Sequence, residues 1–200
     1  METLLALNPS VVVTTSGFLS DELRVRIRKY GIDLIEFHQD YTLASTAKMI
    51  DSLGSLFGRS EAAQTLVANL PESKTVSADG PKVIFIYARG AGALNIAGEN
   101  TFASSLIRMA GGQPAVTDFE GFRSLTPEAL AAANPDYLLF FNTGYASLGG
   151  EEGILKIPGI KETNAGKNRA FLAMDAALLN NFGPRLGQAV EQLNTMLQGQ

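Results

Sequence analysis

Two stretches of this chain nearly repeat each other, and the repeat limits the folds open to it. ETLLALNPSVVV at residues 2–13 and EALAAANPDYLL at 128–139 align without a gap, sharing Glu2 with Glu128, Leu4 with Leu130, Ala6 with Ala132, Asn8 with Asn134 and Pro9 with Pro135. In each copy an apolar pattern of helical spacing stops at Asn-Pro. Proline lacks an amide hydrogen and pushes the residue before it out of the helical region, so a helix must end there. Each Asn-Pro leads into a strand-like segment. SVVVTT is β-branched, and DYLLFF is apolar on both faces, as a parallel strand covered by helices on both sides has to be. Both strands run into a small polar loop, Ser16-Gly17 and Asn142-Thr143-Gly144. The copies lie too far apart for a solenoid repeat, which points to two α/β lobes of one design.

The rest of the chain fits that plan. Residues 21–31 read as a helix ended by Gly31, 32–37 as a second strand, and 41–57 and 60–70 as helices, the latter capped by Ser60. PESKTVSADGP, residues 71–81, is the one extended polar stretch and the natural boundary. Beyond it the pattern predicts a strand at 82–87, a glycine-rich loop at 89–98 and a helix at 100–110. A short strand at 115–116, a helix opened by Thr126-Pro127 and the repeated strand come next. A short helix near 152–156, a strand at 170–174 and a closing helix at 183–197 complete the chain. The expected fold class is α/β, two Rossmann-like lobes of parallel sheet with helices on both faces, joined by a helix. Residues 1–40 form a partial N-terminal lobe in this reading, 41–81 the connecting helices and linker, and 82–200 the C-terminal lobe. With two strands, the N-terminal lobe is expected to be incomplete.

Composition removes several functions. A net charge of -4 leaves no broad basic surface for a phosphate backbone, so nucleic acid is not an expected partner. The absence of cysteine rules out disulfides, thiol catalysis and thiolate metal sites. The longest apolar runs, 83–87 and 137–141, are strand-sized, well short of the roughly 20 residues a membrane helix needs. METLLALNPS carries neither a basic leader nor a small-residue cleavage site, so no signal peptide is expected in this numbering.

On open α/β sheets, ligands gather outside the carboxyl ends of the strands. The loops that matter are therefore 88–98, 118–124, 142–150 and 175–185. The first holds Gly90, Gly92 and Gly98, but the residue three after Gly92 is Asn95, and no acidic residue ends a following strand, so the dinucleotide fingerprint is not met. A nucleotide-binding enzyme using that loop remains the alternative from another class. Arg89 is more pointed, because a guanidinium beside backbone amides suits an anionic group. Catalysis is poorly provided for. The single histidine, His38, lies in the incomplete lobe, far in sequence from the ligand-side loops of the C-terminal lobe, and Glu151-Glu152 are neighbours on a turn. His38 nevertheless follows the strand at 32–37, where a ligand could lie. Phe119, Phe122, Tyr145 and Phe182 all fall on ligand-side loops, and aromatic residues converging on one rim suit a large, flat, apolar ligand.

RGAGALNIAGENTFASSLIRMAGG, FEGFRSLTPEALAAANPDYLLF, SLGGEEGILKIPGI and AMDAALLNNFGPR together resemble the haem-binding substrate-binding proteins of bacterial ABC importers. The wider group also captures ferric siderophores and cobalamin. The resemblance implies a non-enzymatic protein, periplasmic or anchored at the cell surface, that clasps haem or a related iron chelate between its lobes with little hinge motion and hands it to a permease. Haem is then cargo, and no resident cofactor is implied. The ligand-binding set would be Arg89, Gly90, Ala91, Phe119, Phe122, Arg123, Asn142, Thr143, Tyr145, Ser147, Asn181 and Phe182. Arg89 and Arg123 would face the carboxylates of the cargo.

Family members begin with a signal or lipoprotein segment and a further strand, helix and strand, so this chain is expected to start partway through the N-terminal lobe. The axial tyrosine of many relatives lies ahead of the position matching Glu2, and the ligand tyrosine that some carry in the loop matching 89–98 has no counterpart in that stretch. Tyr145 and His38 are therefore the candidate iron ligands. Glu99, Glu151 and Glu162 are the candidates for docking to permease arginines. Two rivals share the fold: a siderophore or cobalamin carrier, and a chain that associates with itself through the exposed edge of the incomplete lobe.

Overall fold

In the structure, a computed structural model that describes residues 2–71, 79–90, 92 and 94–199, both Asn-Pro junctions break their helices in the same way. Asn8 and Asn134 take left-handed φ values of 46° and 39°, a helix-ending conformation that asparagine tolerates better than most residues. They close α1 (Glu2–Ala6) and α6 (Pro127–Ala133), and each is followed by a strand, β1 (Val11–Thr15) and β7 (Tyr137–Phe141). The repeat in the sequence is thus a repeat in backbone geometry.

The chain divides into two compact units, Met1–Asp40 and Tyr41–Gln200. In the first, β1 pairs in parallel with β2 (Asp33–Phe37), Val11 opposite Asp33 and Thr15 opposite Phe37. Between them α2 (Asp21–Lys29) is capped by Ser20, which accepts a hydrogen bond from the Leu23 amide. Asp21 and Glu22 open this helix and Arg26, Arg28 and Lys29 end it, the charge order that complements a helix dipole. Ile27 and Ile32 are the buried hydrophobic residues of this unit.

The second unit opens with a helix pair, α3 (Leu43–Leu56) and α4 (Ser60–Ala68). Most of the polar boundary expected at 71–81 lies outside the described residues. A six-stranded sheet follows, built from β3 (Lys82–Ala88), β4 (Leu94–Ala97), β5 (Gln113–Pro114), β6 (Phe122–Ser124), β7 and β8 (Phe171–Met174). Its order is β6-β4-β3-β7-β8, with β5 paired to β3. The centre is parallel, as the α/β reading requires: β3 pairs with β7 and β7 with β8 in the same direction.

The flank corrects two expectations. The segment 89–98 is not simply a loop leading to a helix, because β4 returns antiparallel to β3 and β6 then runs antiparallel to β4. Gly90, at φ 75°, starts the reversal in a conformation open chiefly to glycine. Ile96 is then fully buried, which holds β4 in the sheet. Segment 118–124 likewise ends in strand β6 rather than in loop alone.

Alternation along β3 and β7 sends side chains to two cores. Val83, Phe85, Leu139 and Phe141 join residues of α5 (Phe102–Met109), α10 (Ala176–Asn180) and α11 (Leu186–Leu197) on one face. Ile84, Ile86, Leu138 and Phe140 join Leu130 of α6, Ile154 of α8 (Gly150–Ile154) and Ala165 of α9 (Asn164–Lys167) on the other. Strands covered on both faces have to be apolar throughout, which explains the runs VIFI and LLFF. The carboxyl ends of β3, β7 and β8 give way to Arg89, to α7 (Asn142–Ser147) and to α10.

Candidate functional site

At the carboxyl end of β3, residues Tyr87 and Arg89 make the most pointed arrangement in the second unit. Arg89 Nε donates to the Tyr87 hydroxyl oxygen at 2.8 Å, and the guanidinium carbon lies 5.3 Å from the Tyr87 ring centroid. The half-buried Tyr87 ring stands edge-on to Phe141, centroids 5.8 Å apart. Behind it Phe85 meets Phe141 at 4.9 Å, Phe102 at 5.2 Å and Phe122 at 6.5 Å. Phe122 keeps 46% of its surface exposed. A phenol, a guanidinium and an exposed phenyl ring are thereby mounted on one rigid aromatic base.

Tyr87 is not among the residues expected from sequence. It belongs to strand β3 rather than to the glycine-rich segment at 89–98, which has no tyrosine. The signal that could have found it is spacing, since residues two apart at a strand end lie on the same face.

The other expected residues divide. The Gly90 amide donates to Ser147 Oγ at 3.1 Å, and Ser147 Oγ donates to the Gly144 carbonyl at 2.8 Å. Gly90 and Ser147 thus tie the β3–β4 turn to α7. Asn142 and Thr143 are exposed in the first turn of α7, and Asn181 is exposed just after α10. Ala91 lies outside the described residues.

Phe182 requires correction. It is 2% exposed and stands edge-on to Tyr41 at 5.3 Å, a core residue closing the first cluster rather than part of a rim. Phe119 and Tyr145 are half-buried against the second cluster, and Tyr145 meets Phe140 edge-on at 6.1 Å. The four aromatic residues therefore do not converge: Phe182 packs into the cluster on one face of the six-stranded sheet, and Phe119 and Tyr145 pack against the cluster on the other.

The charges divide as well. Arg123 is held by Asp118 at 2.9 Å and lies 4.1 Å from the Phe119 ring centroid, so its charge is already answered, while the terminal nitrogens of Arg89 make no hydrogen bond to the described chain. Glu99 is paired with Arg108 and Glu151 with Arg169. Hydrogen bonding to Glu151, reinforced by Glu152, raises the Arg169 pKa above its ordinary value. Glu162 is exposed and makes no ion pair among the described residues. His38 is exposed after β2 in the first unit. Among the described residues no cluster of three or more His, Asp or Glu is placed to hold a metal ion, and no helix is long and apolar enough to cross a membrane.

The Tyr87–Arg89 pair has one clear chemical capacity. A phenol oxygen that accepts one hydrogen bond keeps its own proton and a further lone pair. If a trivalent metal displaced that proton, the oxygen would become anionic beside a guanidinium already aimed at it, a charge-assisted contact.

Known proteins share this architecture. A family model described as periplasmic binding protein matches residues 1–178. The uncharacterised ABC transporter substrate-binding lipoprotein YvrC of Bacillus subtilis (strain 168) is 24% identical over 204 residues, covering 96% of this chain and 63% of its own length. The chain thus spans less than two thirds of that relative. The periplasmic heme-binding protein RhuT from Roseiflexus sp. RS-1, in apo form, superposes with a TM-score of 0.88 at 31% identity, over 99% of this chain and 79% of that one. The periplasmic heme-binding protein BhuT, in complex with two hemes, gives 0.89 at 29% identity, over 99% and 78%. With its sheet topology and its site at the strand ends, the chain belongs to the periplasmic binding protein family.

Proposed function

We propose that this chain is a solute-binding protein that captures haem or a related iron chelate for an ABC importer, outside the cytoplasmic membrane. The observation that carries the reading is the Arg89-to-Tyr87 hydrogen bond, on the same sheet face as the exposed ring of Phe122. Tyrosine oxygen is an established type of haem-iron ligand, and an apolar macrocycle gains most of its affinity from burying its faces against rings such as Phe122. The heme-binding names of RhuT and BhuT support the same cargo.

In this reading Tyr87 ligates the iron in place of Tyr145 and His38, and Arg89 stabilises the ligating oxygen. Residues 1–40 belong to one lobe, 41–81 connect, and 82–200 form the other. An importer permease is the partner, with Glu162 as its exposed acidic contact. Self-association through the two-stranded sheet belongs to the same reading, since Val13 of β1 is 40% exposed, and sedimentation at several concentrations tests it.

Titration of hemin with the Soret band as readout tests the cargo. A saturable shift is expected, weakened at least about tenfold by Tyr87→Ala through loss of the iron ligand and little changed by Tyr145→Ala or His38→Ala. Indifference to Tyr87→Ala would reject the ligand assignment. A wild-type chain that gives no shift would reject haem and leave a siderophore or cobalamin, whose binding has no Soret response from haem.

A further inference from the structure

Among the described residues of the second unit, and apart from Phe122, the exposed large hydrophobic side chains all lie on its opening helix pair. They are Leu56 and Phe57 at the end of α3 and Leu66 on α4, at 40%, 61% and 39% exposure. The two helices approach closely because Gly54 has no side chain: a Cβ there would stand 2.3 Å from the Ala63 Cβ. Ile50 and Ala63 are buried at that crossing.

The crossing leaves a groove of about 240 Å³, walled by Met49, Leu53 and Phe57, by Ala62 and Leu66, and by Pro184. Residues 49, 53 and 57 recur every four positions and so share one helix face. The wall is almost wholly apolar. One ionisable side chain borders it, Arg59 in the turn between the helices. Arg59 is exposed and makes no ion pair among the described residues, and no acidic side chain lines the groove.

Contiguous apolar surface left open on a chain marks a binding site more often than not, and the charge at this rim says what kind. A cation beside an apolar groove selects an anion with an apolar body, whose charged end takes charge-assisted hydrogen bonds from the guanidinium. A second copy of the chain is disfavoured as the occupant, because it would bring its own Arg59 to a groove that already holds one and no acid. At about 30 Å³ per carbon, the share of one water molecule in the liquid, the groove takes roughly eight carbons.

We infer that the groove between α3 and α4 binds a medium-chain fatty acid, with the acyl chain along Leu53, Phe57 and Leu66 and the carboxylate at Arg59. The site uses none of the residues at Tyr87 and Arg89 and does not depend on the identity of the cargo.

Calorimetric titration of hexanoate, octanoate and decanoate below their micelle-forming concentrations tests it, with octanol as the uncharged control. Affinity should rise about fourfold per methylene from hexanoate to octanoate, the scale of burying one such group, and level off at decanoate. Arg59→Ala should weaken octanoate about tenfold and leave octanol unchanged. Leu66→Glu, at an exposed position where thermal melts can confirm folding, should weaken both, and Tyr87→Ala neither. Absence of saturable binding, affinity independent of chain length, or equal loss of octanoate and octanol in Arg59→Ala would overturn the site. Loss of octanoate in Tyr87→Ala would move the acid to the sheet and overturn it equally. A dimer in sedimentation that Leu66→Glu dissolves would assign the groove to a second copy instead.

Discussion

Gly98 shows how a single missing side chain holds the flank of the site in place. A Cβ there would lie 2.3 Å from the Phe119 carbonyl oxygen and under 3 Å from its ring, at 2.8 and 2.9 Å. That close approach lets the Gly98 amide reach the Gly121 carbonyl at 2.8 Å and the Glu99 amide reach the Phe119 carbonyl at 2.8 Å, which sets β6 against β4. Gly98→Ala should cost about 1–3 kcal/mol, the usual range for overpacking. Gly183→Ala, at a buried backbone position where an added Cβ would meet nothing within 4 Å, overpacks nothing and should cost less, about 0.5 kcal/mol. Urea unfolding of the two variants checks the contrast. Residue types and spacing made Arg89 legible as a candidate site residue. Burial was not legible: Phe182 and Phe122 look alike as ligand-side phenylalanines, and whether each ring meets solvent depends on helices packed from elsewhere in the chain.

At the scale of the elements, α3 and α5 begin with the same device. Thr42 and Thr101 each accept from the amide three residues on, at 3.1 Å in both, and Ser45 and Ser104 return a side-chain acceptor to the threonine amide at 3.4 and 3.2 Å. The residue before each threonine is left-handed, Tyr41 at φ 55° and Asn100 at φ 56°. Thr101 is 2% exposed whereas Thr42 is exposed. Thr101→Val should therefore cost about 2 kcal/mol and Thr42→Val about 1 kcal/mol, because the buried amide of Ser104 has no water to replace its partner. Thermal unfolding of the pair checks the ordering. Most helices and the parallel strands could be read from the sequence, since their apolar runs are long and the Asn-Pro and Thr-Pro boundaries are sharp. The antiparallel flank was harder. Leu94 to Ala97 is four residues set among glycines, too short for alternation to outweigh a loop reading, and β6 owes its extended form to pairing with β4 rather than to its own sequence.

Across the whole molecule, the two sheets have very different support. Both buried clusters that sandwich the six-stranded sheet lie within Tyr41–Gln200. The two-stranded sheet of Met1–Asp40 is backed by Ile27 and Ile32 as its buried hydrophobic residues, and two strands alone are marginal in water. A chain of residues 41–200 should keep a cooperative thermal transition within about 4 °C of the full chain, equivalent to about 1 kcal/mol or less at this size. Residues 1–40 alone should show no transition. Loss of the transition in the larger piece would mean that its two clusters do not suffice.

The repeat announced two lobes of related design, and the backbone bears it out at Asn8 and Asn134. It carried no information on how much apolar surface each copy would bury, because that is decided by residues far outside the repeated twelve. At the open flank of the larger sheet, β6 is three residues long and carries Arg123 clamped to Asp118. So short a strand presents too few free backbone groups to template the growth of cross-β structure, and an ion pair at its centre resists a neighbouring chain sliding into register. That edge of the larger sheet is thereby a poor seed for aggregation.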